Sequence, residues 1–218
     1  MSVVELSAPP SIFGRIVTGY DVEQAVLAVL QRWSSTYIAE LERQHGLTAC
    51  DLARVRGWVL SPSFDKWPED QVPGVLVVST GLVPPPIRHA DGAYTARWSV
   101  ELGVICSART QQLSREHAML YLAAHKAIIA QRPSLEGFAN GVMWMNEQYT
   151  ALGFDDSRSL YAATASFAIE VRDVLTSLAG PVTPDDPPVD ECAPFAPWPT
   201  VETTDVDVEN YPPPTPLP

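Results

Sequence analysis

The sequence predicts an α+β fold, in which a single twisted, mostly antiparallel sheet is flanked by two amphipathic helices. Two long segments carry apolar residues at steps of three and four, which is typical of helices with one face against a core. Two others alternate apolar and small or polar residues, which is typical of strands with one buried face. With 218 residues, the chain can bury one sizeable core but is short for two.

The first helix is predicted over residues 21–44. Asp21, followed three residues later by Gln24, has the form of a capping box, and Gly46 supplies a stop signal. The apolar stripe consists of Val22, Ala25, Val26, Val29, Leu30, Trp33, Tyr37 and Leu41.

Three strands are predicted next. The first two are short and lie in "RGWVLSPSF" and "GVLVVSTG", with loops at "DKWPEDQVP" and "GLVPPPIRHADG". The third is long and lies in "AYTARWSVELGVICSART". It places Trp98, Leu102 and Cys106 on one face and Arg97 and Glu101 on the other.

A second helix is predicted over residues 115–131, capped by Ser114, with Glu116 in its first turn. Two strands follow. "VMWMNEQY" loses strict alternation, which predicts contacts on both faces, whereas "SLYAATASFAIEVRDVL" alternates cleanly. The linker "GFDDSRS" predicts a hairpin. Short loops favour antiparallel pairing of consecutive strands, with both helices on the buried face of the sheet.

Charge and proline content divide the chain into three parts. We expect an N-terminal extension (1–11), an α+β domain (12–178) and an acidic, proline-rich tail (179–218). Of 21 prolines, 12 follow residue 179, together with eight Asp or Glu and no Lys or Arg, so the tail carries most of the net charge of −12. Such a composition predicts a tail that is disordered in isolation or docks on a partner in an extended form.

Composition also excludes several partners. The scattered Lys and Arg residues argue against sequence-specific nucleic-acid binding. We find neither a signal-peptide pattern nor an uncharged run long enough for a bilayer, so we expect no membrane partner and assembly in the cytoplasm. Cys50, Cys106 and Cys192 are far apart, which indicates reduced thiols.

The sequence also lacks a recognisable reaction centre. The four His residues do not have metal-ligand spacing, and neither a G-x-S-x-G motif nor a glycine-rich phosphate loop is present. Adjacent acids at 69–70 and 155–156 are typical of solvated turns. We therefore expect no enzyme activity, no catalytic residue, no metal and no cofactor.

Aromatic residues outside the core are instead typical of interfaces. Trp33 and Trp98 are predicted to lie in the core. Candidate subunit or partner contacts are Trp67, Met143, Trp144, Met145, Tyr149, Phe195, Trp198 and Tyr211. The alternative is that Met143, Trp144 and Met145 fill gaps in the core of the single chain.

Four consecutive runs carry a family resemblance: "ARWSVELGVICSART", "SREHAMLYLAAHKAII", "LEGFANGVMWMNEQYTAL" and "SLYAATASFAIEVRDVL". In the order, spacing and residue pattern of their elements, residues 21–175 resemble the tail terminator family of long-tailed double-stranded DNA bacteriophages, especially forms carried by phages of actinobacteria. The chain departs from that pattern in the proline-rich stretch 64–92 and in the acidic tail.

The resemblance implies a structural virion protein of the phage neck. It implies a sheet flanked by two helices and a hexameric ring that caps the tail tube and joins it to the head connector. The partners would be other copies of the chain, the tail tube protein and a head-completion or connector protein, with DNA passing through the ring. Two alternatives stay open: another neck component, such as a head-completion or stopper protein, and a small-molecule-binding domain.

Overall fold

In a computed structural model, the structure describes residues 16–49, 51–60, 69–155 and 158–175. Short 3-10 turns lie at Glu69–Gln71 and Leu135–Gly137. The predicted order of helix, strands, helix and two strands is confirmed, with one short added strand in a segment predicted as a loop. The elements in chain order are α1 (Gly19–Gln44), β1 (Gly57–Val59), β2 (Gly74–Leu82), β3 (Ile87–Arg88), β4 (Tyr94–Ala108), α2 (Gln111–Gln131), β5 (Gly141–Asp155) and β6 (Arg158–Val171).

The strands form one open, mixed sheet in the order β1-β2-β4-β6-β5, with β3 paired to β4. This arrangement confirms the α+β class. All pairs are antiparallel except β1 with β2, which are parallel. Antiparallel pairing of those two strands was therefore a wrong prediction. The reason is the long connection between Val59 and Gly74, since a dozen or more residues let a chain return to the end at which it started.

Both helices pack on one face of the sheet, called here the inner face. The alternation predicted for β4 and β6 is confirmed, because their inward side chains are buried in one continuous core. From the two strands these are Ala96, Trp98, Val100, Leu102, Val104, Cys106, Tyr161, Ala163, Ala165, Phe167, Ile169 and Val171. On the outer face, the facing residues Arg97 and Glu170 form an ion pair of 2.7 Å between Nη2 and Oε2.

Helix α1 begins earlier than predicted because Thr18, not Asp21, is its N-cap. Thr18 Oγ1 accepts a hydrogen bond from the Asp21 N–H, and Asp21 Oδ2 accepts one from the Thr18 N–H at 2.7 Å. Asp21 thus occupies the N3 position of a capping box rather than its N-cap. The stop at Gly46 is confirmed, since Gly46 follows the C-cap with φ +66°.

Helix α2 also begins one turn before the predicted position. Its N-cap is Thr110, whose hydroxyl accepts from the Leu113 N–H at 3.2 Å. Ser114 is instead buried inside the helix and donates to the carbonyl oxygen of Ser159 at 2.7 Å, which ties α2 to β6. Glu116 lies beyond the first turn, which has no acidic residue.

Candidate interaction surface at the β5 edge

Strand β5 lies at the edge of the sheet. It pairs with β6 along its length, and no described strand pairs with its other side. Five of its large side chains are exposed: Met143 by 54%, Trp144 by 53%, Met145 by 41%, and Tyr149 and Leu152 by 39% each. The alternative that Met143, Trp144 and Met145 fill gaps in the core is therefore wrong.

Two β-bulges explain why the strand lost its alternation. The register against β6 shifts between Trp144 and Asn146 and again between Ala151 and Gly153, so Met145 and Leu152 are the extra residues. The loss of alternation had predicted contacts on both faces, but within the described chain much of β5 is exposed on both. The first bulge places Trp144 and Glu147 on the same face of the sheet, although they are three residues apart.

That face carries an ordered cluster with α2. Lys126 Nζ forms an ion pair with Glu147 Oε1 and lies 4.1 Å from the centroid of the Trp144 ring. The Tyr149 hydroxyl donates to Glu147 Oε2 at 2.5 Å, and Trp144 Nε1 donates to the Asn146 carbonyl oxygen at 3.1 Å. Each polar group of the cluster therefore has a partner within the chain.

The electrostatics of the cluster follow from these contacts. Partial burial raises the pKa of Glu147, but the hydrogen bonds from Lys126 and Tyr149 outweigh it, so the pKa lies below its usual value. The same hydrogen bond to Glu147 raises the pKa of Tyr149 to about 12. Glu147 is thus charged and Tyr149 protonated at neutral pH.

A groove of about 670 Å³ extends this surface along α2. It is lined by Gln111, Gln112, Arg115, Glu116 and Met119 of the helix, with Ala151 and Tyr161 of the sheet. Sequence analysis missed the part that α2 plays here. The available signal was the spacing of Met119 and Lys126, which lie seven residues apart and hence on one face of the helix.

A second aromatic cluster joins α1 to the end of α2. Trp33, predicted to lie in the core, is only half-buried: the Arg132 guanidinium lies 3.7 Å from the centroid of its ring, and its Nε1 donates to Glu136 Oε1 at 3.1 Å. Tyr37 donates to Gln131 Oε1 at 2.6 Å. These contacts bind the helices to each other. Trp98 does lie in the core, at 6% exposure.

The one Ser–His pair among the described residues lies inside the core. His125 and Ser34 are 0% and 3% exposed, with 3.0 Å between His125 Nε2 and Ser34 Oγ. His125 Nδ1 donates to the Tyr121 carbonyl oxygen at 2.7 Å, which leaves Nε2 to accept from the serine hydroxyl. Burial lowers the pKa of His125 to about 4, so the ring is neutral. A substrate would have no access, and the pair has a packing role.

Several predicted features cannot be placed. Trp67, Phe195, Trp198 and Tyr211 lie outside the described residues, as do the extension 1–11 and the tail 179–218. Within the described part of the chain, no group of three or more His, Cys, Asp or Glu side chains could hold a metal ion. Neither described helix is long and apolar enough to cross a lipid bilayer.

Comparison with known proteins finds matches among solved structures. No protein-family model matches the sequence, and no curated protein matches it. Among solved structures, the chain is similar to one chain of the "Virion of native gene transfer agent (GTA) particle". The TM-score is 0.33 and the sequence identity 12%, over 61% of this chain and 91% of that chain.

Proposed function

We propose that this protein is a structural subunit of a phage-type virion that acts as a tail terminator. In this role it forms a closed ring, of six copies as the family resemblance implies, at the end of the tail tube nearest the head. One face of the ring contacts the tube and stops its growth, and the other contacts the head connector. The protein performs no reaction.

The observation that carries the proposal is the β5 edge. A long edge strand that exposes Met and Trp side chains is a liability for a lone soluble domain, because it invites pairing with other chains. A ring subunit requires such a surface. Aromatic and Met side chains are enriched at interfaces, and the hydrogen bonds and ion pair around Trp144 hold that ring in place before a partner arrives.

The polar groups of the described chain support the same role. The charged residues of the edge cluster are paired with each other, and the one described Ser–His pair is inaccessible. A reaction centre needs nucleophile, base and stabilising donors that converge on an open position. The described side chains offer rigid contact surfaces in place of such a centre, which suits assembly.

The test is made in particles. The gene for this chain is deleted from a phage that carries it. Tail length and the joining of tails to heads are then measured by electron microscopy. We expect tails of uncontrolled length or tails without heads, and rescue by the wild-type chain. Trp144→Asp should not rescue, whereas Ala28→Asp, at an exposed position of α1, should. Tails of normal length joined to heads in the deletion would sink the proposal, as would a reconstructed particle that lacks the chain at this position.

A further inference from the structure

The groove along α2 that was described above, called the α2 groove from this point, lies between the start of that helix and the edge of the sheet. Gln111, Arg115 and Met119 follow one another at steps of four residues and form one side of its helical wall. Ala151 of β5 and Tyr161 of β6 face each other across the ladder and form its floor. Because the side chain of Ala151 ends at Cβ, the groove has room above the ladder at this point.

The floor carries a polar group that the chain itself does not use. Tyr161 is only 8% exposed, yet its hydroxyl has no hydrogen-bond partner among the described residues. A buried tyrosine hydroxyl usually has a partner, as Tyr121 under the same helix has in the Ala53 carbonyl oxygen. Within the described chain, Ser159 Oγ is the one fully enclosed side-chain oxygen or nitrogen without a partner, so the unpaired Tyr161 hydroxyl reaches the surface of the groove.

The helical wall favours a negative charge next to this hydroxyl. Arg115 is exposed, and its guanidinium forms neither a hydrogen bond nor an ion pair with another described residue. Helix α2 begins at Gln111 and has no acidic residue in its first turn, so the positive end of the helix dipole is not neutralised there. An unpaired guanidinium, an unpaired buried hydroxyl and a helix N-terminus therefore lie along one groove.

These donors fit a single carboxylate. A guanidinium can bind both oxygens of a carboxylate, and a tyrosine hydroxyl can donate to one of them. A polyanion such as DNA fits poorly, because Arg115 is the one basic residue among the described residues that line the groove and Glu116 lies on the same wall. The ligand should therefore carry one carboxylate at this point.

The shape of the groove favours an extended peptide over a small molecule. Every residue that lines it except Tyr161 is exposed, so a bound chain can continue past both ends. Arg115 and Met119 are four residues apart on α2, which corresponds to about 6 Å along the helix axis. Side chains two residues apart in an extended chain lie on the same side at about 6.6 Å, which matches this spacing.

We propose that the α2 groove binds an extended acidic segment of a partner protein. A Glu or Asp carboxylate of that segment is held by the Arg115 guanidinium and the Tyr161 hydroxyl. An apolar side chain two residues away packs against Met119. This binding site goes beyond the terminator role and does not depend on it.

The test measures the binding of a fluorescent peptide to the full chain by fluorescence anisotropy. The probe is the eight-residue peptide Glu-Ser-Leu-Ser-Glu-Ser-Leu-Ser, in which Glu and Leu are two residues apart. The control peptide has Gln in place of Glu. We expect the Glu peptide to bind about tenfold or more tightly than the Gln peptide, because only the Glu peptide offers a charged acceptor to the guanidinium.

Two variants remove the proposed donors one at a time. Arg115→Gln should weaken binding of the Glu peptide about tenfold or more, and Tyr161→Phe about fivefold. Because the Tyr161 hydroxyl has no partner among the described residues, Tyr161→Phe should leave the melting temperature unchanged, so a loss of binding is not a loss of folding. The matched controls Arg88→Gln and Tyr20→Phe alter exposed residues outside the groove and should bind like the wild type.

The inference is overturned by equal affinity for the Glu and Gln peptides, or by unchanged affinity after Arg115→Gln or Tyr161→Phe. It is also overturned if the Glu peptide does not bind at concentrations up to about 1 mM. Displacement of the Glu peptide by an equal concentration of inorganic phosphate would show a general anion site and would overturn it as well. The particle test is separate, since normal tails in the deletion would remove the terminator role and leave peptide binding unaffected.

Discussion

Trp144 and Phe167 face each other across the β5–β6 ladder, yet Phe167 is fully buried and Trp144 is 53% exposed. The hydrophobic core therefore ends between these two strands. Phe167 contributes to the stability of the single chain, whereas the Trp144 ring remains available to a partner.

We predict unequal losses of stability when these two rings are removed. Phe167→Ala should lower the free energy of unfolding by about 3 to 5 kcal/mol, because it leaves a cavity in the core. Trp144→Ala should lower it by less than about 1 kcal/mol, since it removes an exposed ring and one cation–π contact. Urea denaturation of dilute protein measures both. Similar losses for the two variants would contradict the core boundary.

His125 should make stability depend on pH. Its pKa is about 4 in the folded chain and near 6.5 when unfolded, so the unfolded state binds more protons between these values. The contribution of His125 to the free energy of unfolding should be at its maximum above pH 6.5. It should fall by about 3 kcal/mol as the pH approaches 4. His125→Gln should show a shallower fall in denaturation series across this range.

Ser34→Ala is the matched control for that measurement. It removes the hydrogen bond to His125 Nε2 but keeps the titrating ring, so it should lower stability by about 1 kcal/mol at each pH and retain the slope. An equal slope in the wild type and His125→Gln would show that other groups cause the pH dependence.

Tyr149 reports on the edge cluster through its ionisation. Its pKa of about 12 depends first on the hydrogen bond to the Glu147 carboxylate. Glu147→Gln removes the negative charge, so the pKa should fall toward the ordinary value of about 10. NMR titration of ring-labelled tyrosine measures it, with Tyr149→Phe to assign the signal. The control Glu116→Gln should leave the pKa of Tyr149 unchanged. If Glu147→Gln also leaves this pKa unchanged, the described geometry of the cluster is wrong.

Glu42 holds the segment between α1 and β1. Its buried carboxylate accepts from the Leu52 N–H at 2.9 Å and from both Arg54 Nη atoms at 3.2 Å. Glu42→Ala leaves a buried donor without its partner and should cost about 1 to 3 kcal/mol in thermal or urea unfolding. Glu40→Ala removes an exposed carboxylate paired with Arg43 and should leave melting almost unchanged. Equal melting of the two variants would argue against this role.

The faces of β4 and β6 could be predicted because a strand with one buried face repeats every two residues, and Trp98 to Cys106 keep that phase. The parallel pairing of β1 with β2 could not be predicted, since the composition of a strand does not encode its direction. The helix starts were missed for a local reason. In α1, Thr18 and Asp21 are both residue types that favour the N-cap, so the sequence alone does not show which of them occupies it.

The candidate surface was predicted in part. The sequence singled out Met143, Trp144, Met145 and Tyr149, and the structure places all four at the exposed edge. The contacts with Lys126 were not predicted, because they depend on the bulge at Met145, and a single extra residue in a strand leaves no distinct pattern.

The bridge between Ile16 and Leu175 places the first and last described residues side by side, with the Val17 N–H 2.8 Å from the Val174 carbonyl oxygen. The connectivity of the domain can therefore be rearranged without changing its strand pairing. A circular permutant would join residue 175 to residue 16 through a linker of about four to six residues and open the chain at the hairpin between Asp155 and Arg158. The permutant would have the same fold, with its new ends at the hairpin between β5 and β6.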